Sequence, residues 1–135
     1  MPKGPLPAAV REFLKAPNLA TVVTLDPDGA PQATVVWFLF EDDRVLVNTK
    51  AGRVKVHNLA NDPRVALTVF DCAQPYLSVQ LRGVVEEERR GEQAAADIHR
   101  LSQRYTSLDY SAPEERISYL IGIRSWSAWG LAGAD

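Results

Sequence analysis

The stretch Ala33-Thr34-Val35-Val36-Trp37-Phe38-Leu39-Phe40 constrains this chain most, because it is β-forming and apolar on both faces. In a period-two repeat Ala33, Val35, Trp37 and Leu39 share one face, and Thr34, Val36, Phe38 and Phe40 the other. Just before it, Asp26-Pro27-Asp28-Gly29 supplies a turn in which proline presets φ and glycine takes a positive φ. Residues 19–40 are therefore expected to form a hairpin. A barrel strand buries only its inner face, so the outer apolar face calls for a covering helix or a second copy of the chain. A homodimer is the economical expectation.

The rest of the chain fits around that hairpin. Residues 7–15 predict a short helix with Val10, Phe13 and Leu14 in one stripe, stopped by Pro17. Residues 44–48 read as the next strand, 52–61 as a helix with Val56, Leu59 and Ala60 on one face, and 64–70 as a strand. In residues 76–85 Leu77, Val79 and Leu81 alternate with Ser78, Gln80 and Arg82, which predicts a half-buried strand. Glu86-Glu87-Glu88-Arg89-Arg90 reads as a solvated strand exit, 92–105 as an amphipathic helix, 113–116 as a helical turn, and 117–129 as a closing strand. Six strands joined mostly by tight turns, with a few peripheral helices, predict a mainly β, antiparallel barrel or sandwich. The 135 residues fit a single domain, 1–135.

A second feature is Asn48-Thr49-Lys50-Ala51-Gly52-Arg53-Val54-Lys55, where a strand passes into a helix. Free N–H groups at a helix start, the positive dipole end, a hydroxyl and three cations make a seat for phosphate. A polar surface loop without any ligand has the same composition. Neither Gly-x-x-x-x-Gly-Lys-Ser/Thr nor Gly-x-Gly-x-x-Gly occurs in the chain. Net charge is −2, which argues against a nucleic-acid partner. Residues 44–64 nevertheless hold Arg44, Lys50, Arg53, Lys55 and Arg64 against Asp62 alone. A positive island on an acidic body suits a small anionic ligand. No apolar run approaches the about 20 residues of a membrane helix. Residues 1–5 show no signal core, and Cys72 is the single cysteine, so a cytoplasmic location is expected.

The order of helix, Pro-Asp-Gly hairpin, basic loop, helix and Asp62-Pro63-Arg64-Val65 strand resembles one known family. Asp28-Gly29-Ala30-Pro31-Gln32, Thr49-Lys50-Ala51-Gly52-Arg53-Val54-Lys55 with Asn58-Leu59, residues 76–85 and Ser127-Ala128-Trp129-Gly130 carry the likeness over roughly 14–130. It is that of the pyridoxamine-phosphate-oxidase-like split β-barrel flavoproteins, within them the branch using the deazaflavin coenzyme F420. The resemblance implies a six-stranded antiparallel split barrel, a homodimer, and a cofactor at the subunit interface. It implies ring binding along Thr34, Val35 and Val36, largely by backbone groups. It implies phosphate binding by Asn48, Thr49, Lys50, Arg53 and Lys55, with Tyr76 and Ser78 arriving from the partner subunit.

The pyridoxamine phosphate oxidases proper carry an arginine early in the second strand and an Arg-Lys pair at the loop, where this chain has Ala33 and Val54-Lys55. The resemblance thus points away from vitamin B6 oxidation and toward F420, whose tail of lactyl phosphate and glutamates asks for extra cations. The implied activity is hydride transfer between the deazaflavin and a small electron-poor acceptor, with Trp37, Tyr76 and Trp129 lining the acceptor side. An FMN-binding oxidoreductase and a non-enzymatic flavin or F420 carrier are the alternatives. Elsewhere plain packing explains most residues. His57 and His99 are isolated, so no metal site is expected; Trp126 and Trp129 read as core and interface, and Cys72 as a small buried hydrophobe.

Overall fold

The turn chemistry forms the first hairpin as expected, and the strand that follows it breaks in two. In the computed structural model, which describes residues 1–110 and 114–131, β1 (Leu19–Leu25) pairs antiparallel with β2 (Pro31–Val36). Gly29 takes φ +88°, and Ala30 N–H donates to the Asp28 carboxylate at 2.9 Å. The chain then leaves β2 at Trp37-Phe38 and resumes as β3 (Leu39–Glu41), which pairs with β4 (Arg44–Lys50) instead.

The expected single strand to Phe40 is therefore two strands on different edges. At the break, Phe38 turns inward and is fully buried. Its backbone is met by a phenol in place of a strand: the Tyr105 hydroxyl lies 3.3 Å from Phe38 N and 3.2 Å from Phe38 O. Among the described residues the strands number seven, against the six expected. After α2 (Val54–Asn61), β5 (Arg64–Phe70), β6 (Ser78–Arg89), α3 (Gly91–Thr106) and β7 (Arg116–Trp129) complete the chain, preceded by α1 (Ala8–Lys15). The sheet order is β2-β1-β5-β6-β7-β4-β3, every neighbouring pair antiparallel. The two edge strands, β2 and β3, are consecutive in the chain, so the barrel is joined by Trp37-Phe38 but left unpaired between them.

Two apolar layers follow from the alternation. One is the barrel interior, with Val22, Val45, Val47, Leu67, Val79, Leu81 and Ile121, closed at one end by Val10 and Leu14 of α1. The other lies outside the sheet, where Leu46 of β4 and Leu120 of β7 pack against Ile98 and Leu101 of α3. Trp37 and Leu39 join that second layer, and the Trp37 ring stacks on Tyr105 at 5.4 Å. Helix α3 thus covers the outer face of the Trp37–Leu39 stretch. Ala33 and Val35 of β2 stay exposed, Val35 at 62%.

Four further expectations are corrected. The charge run continues β6 to Arg89, because side chains two apart share a strand face and Arg89 reaches Glu87 at 2.9 Å. Helix α2 buries Asn58 and Lys55, while Ala60 of the expected apolar face is exposed. Glu114 and Glu115 are irregular and Arg116 already belongs to β7, so the described part of the expected turn at 113–116 is not helical; Pro113 lies outside the described residues. Cys72 is exposed in the β5–β6 loop, beyond the strand that would have buried it.

Candidate functional site

The unpaired gap in the barrel is a cleft of about 690 Å³ between β2 on one side and the β4 end with the start of α2 on the other. Thr34, Val35 and Val36 line it from β2, and Asn48, Thr49 and Lys50 from β4. Arg53 and Lys55 complete the basic wall, so eight of the ten expected binding residues meet in one place. Tyr76 and Ser78 do not. Tyr76 sits before β6, 73% exposed, and the Ser78 hydroxyl accepts from Gln80 Nε2 at 2.8 Å. Of the three aromatics expected at the acceptor side, Trp37 lines the cleft; Tyr76 and Trp129 lie outside it and are bare to solvent.

The basic wall is built by local backbone choices. β4 ends at Lys50, Gly52 swings the chain round at φ +90°, and Arg53 enters α2 in extended conformation. No side chain caps this helix and no acid sits in its first turn, so its N–H groups and dipole act on the cleft unopposed. Arg44 and Arg64 drop out of the positive island, because Arg44 pairs with Glu87 at 3.4 Å and Arg64 with Asp62 at 2.8 Å. Lys50, Arg53 and Lys55 make no ion pair among the described residues.

Lys55 is the telling member. It is 8% exposed, and burial, followed by repulsion from Arg53 and Arg116, holds its pKa below the ordinary lysine value. A buried ammonium without an anion is costly. On the opposite wall Gln32 Oε1 and Thr34 Oγ1 are buried without hydrogen-bond partners among the described residues. Both belong to β2, whose far edge also carries backbone groups with no strand beside them. The apolar end of the cleft is closed by Trp37, Ile98 and Leu101.

Two findings lie beyond sequence reading. Arg116 lines the cleft, brought there by the register that sets it opposite Lys50. No local motif marks it; only the pairing of β4 with β7 does. Asn48, expected to hold phosphate, spends its side chain on the fold. Its Nδ2 donates to Ala94 O at 3.0 Å and Ser118 Oγ at 2.8 Å, and its Oδ1 accepts from Arg116 Nε at 2.8 Å. No group of three potential metal ligands occurs among the described residues.

The pyridoxamine 5'-phosphate oxidase family model matches residues 6–129. A pyridoxine/pyridoxamine 5'-phosphate oxidase of Azorhizobium caulinodans is 39% identical over 90 residues, 64% of this chain and 42% of that protein. This chain therefore aligns with less than half the length of that relative. Among solved structures, an F420 reductase superposes with a TM-score of 0.77 at 25% identity, covering 94% of this chain and 98% of that one. A heme binding protein of Mycobacterium smegmatis, 22% identical with a TM-score of 0.69, covers 96% of this chain and 57% of that one and shares the fold.

Proposed function

This chain belongs to the pyridoxamine 5'-phosphate oxidase family, and on that premise we propose that it is an F420-dependent oxidoreductase acting on a small electron-poor organic acceptor. The observation that carries the reading is the convergence of Lys50, Arg53, Lys55 and Arg116 on the uncapped start of α2, with Lys55 buried and unpaired. One phosphate with two charges does not need four cations. A phosphate followed by carboxylates does. The end-to-end likeness to an F420 reductase supports the same choice.

In this reading Thr49, Lys50, Arg53 and Lys55 hold the phosphate, through charge-assisted hydrogen bonds worth about 1.5–3 kcal/mol net apiece. Bound deazaflavin would supply a hydride from its ring carbon. The open edge of β2 at Thr34, Val35 and Val36 orients the ring through backbone groups, and the Thr34 hydroxyl gains a partner. Trp37, Ile98 and Leu101 keep water from the apolar end, which strengthens the electrostatics inside. No side chain in the cleft is assigned as a general acid or base.

We propose also that two copies associate over β2, since Ala33, Val35 and Val54 are exposed apolar side chains around the mouth of the cleft. Tyr76 and Ser78 of the second copy would then close it. FMN is the alternative cofactor, and a carrier role the alternative use of the cleft. Fluorescence titration of F420, FMN and FAD against the purified protein decides among cofactors: F420 binding tighter than FMN is the expected result, and equal or weaker binding overturns it. Tight F420 binding with no hydride transfer to quinones, nitro compounds or enones would make the protein a carrier.

A further inference from the structure

Arg116 enters the cleft from β7 with its guanidinium fixed on several sides. Its Nε donates to Asn48 Oδ1 at 2.8 Å, and its Nη1 donates to the Tyr110 hydroxyl at 3.2 Å. Its plane lies over the Tyr110 ring, with Cζ 5.2 Å from the ring centre. Glu114 stands 3.5 Å from the same Nη1, but its nearer partner is the Tyr110 hydroxyl, which donates to it at 2.6 Å. Nη2 has no hydrogen bond among the described residues, so its two N–H donors are unused.

The anchor behind Arg116 is itself anchored. Asn48 Nδ2 donates to Ser118 Oγ at 2.8 Å, and Ser118 donates to Asp97 Oδ2 at 2.7 Å. Asp97 is only 3% exposed and is held in turn by Arg100 at 2.9 Å and Arg89 at 3.4 Å. A continuous line of contacts runs from the buried Asp97 carboxylate and its arginines to the cleft wall. Surface arginines lose rotamer freedom when they bind; this one is already restrained.

We infer that Arg116 is an anion-binding residue of the cleft and that Asn48 is its positioning residue. The site takes a ligand with a second anionic group, a carboxylate or a further phosphate, besides the one at the start of α2. A planar guanidinium held in place with its Nη2 donors to spare matches such a group better than an ammonium would. Only the identity of the ligand rests on the cofactor reading above; the anion chemistry does not.

The test is calorimetric titration of F420, FMN and inorganic pyrophosphate into the wild type, Arg116→Met, Arg116→Lys and Asn48→Ala at several salt concentrations. Arg116→Met is expected to weaken F420 and pyrophosphate about tenfold, FMN less, and to flatten the salt dependence by removing a charge. Asn48→Ala is expected to weaken the same ligands severalfold while keeping the wild-type salt dependence, because the charge stays and only its placement is lost. Should Asn48→Ala fail to fold, Arg116→Lys carries the same contrast, keeping the charge and losing the fork. Unchanged affinities in Arg116→Met overturn the inference, and an Asn48→Ala salt dependence as flat as that of Arg116→Met overturns the positioning role. If pyrophosphate binds through Arg116 while neither F420 nor FMN binds the wild type, the cofactor reading fails and this assignment stands.

Discussion

Asn58 donates from Nδ2 to the Thr24 hydroxyl at 3.0 Å and to the Asp26 carboxylate at 2.9 Å, and so fastens α2 to β1 at the turn of the first hairpin. This contact ties the basic wall of the cleft to the sheet, beside the packing of Val56 and Leu59 on the barrel core. Asn58→Ala leaves the buried Thr24 hydroxyl without that partner. The expected cost is about 1–3 kcal/mol, read as a lower urea midpoint at unchanged slope. Anion affinity should fall with it, because the helix start is no longer held in place.

Lys55→Met is expected to move stability and binding in opposite directions. Replacing a buried, unpaired ammonium by a thioether of similar length should raise the melting temperature of the ligand-free protein. Affinity for any phosphate-bearing ligand should fall. A lower melting temperature in the ligand-free variant would mean that Lys55 already has a partner.

The same residue sets a pH dependence. Burial lowers its pKa from 10.5, so between the lowered value and 10.5 the unfolded chain binds more protons than the folded one. Stability of the ligand-free protein therefore rises with pH through that window, against the usual alkaline decline. A bound anion favours the charged form, so binding takes up protons there and affinity weakens as pH rises. Calorimetry in two buffers of different ionisation enthalpy measures the uptake, and Lys55→Met should abolish it.

Tyr105→Phe tests the join between the sheet edges. The hydroxyl donates to Asn18 O at 2.5 Å and also meets the Phe38 backbone. Its loss should cost about 1–2 kcal/mol. Amide exchange at Phe38 should accelerate more than exchange at Val79 or Leu81 in the barrel core.

Ala33→Glu places a charge on the exposed face of β2 without entering the cleft. If two copies meet there, sedimentation should show a dimer for the wild type and a monomer for the variant at micromolar concentration. Cofactor affinity should fall together with the dimer. A monomeric wild type would remove the role given to Tyr76 and Ser78.

What the sequence made legible was local. Asp26-Pro27-Asp28-Gly29 specifies its turn by φ preferences alone, and β1, β5 and β7 announce themselves by composition. The cations at Lys50, Arg53 and Lys55 are close enough in sequence to be read as one site. The break at Trp37-Phe38 was not legible, because an apolar run looks the same whether it keeps one partner strand or changes it. What meets the break is Tyr105, distant in sequence: helical periodicity places it on the packed face of α3 but does not say which backbone it meets. Arg116 and the true work of Asn48 were hidden for the same reason, being consequences of β4–β7 register. The extension of β6 through Glu86–Arg89 defeated a composition rule, since paired charges two apart satisfy each other on a strand face.

The chain order of the sheet has a consequence for how the protein comes into being. β2 and β3 are next to each other in the chain, yet the β3–β4 pair joins the sheet only through β7, with which β4 pairs. Arg116 arrives with that same strand. A nascent chain still lacking β7 can hold the first hairpin and β5, but it has no opposite wall and no cleft. Loading of any ligand must therefore wait until translation has passed β7, and truncations that remove β7 but spare every cation of the basic loop should be unable to bind.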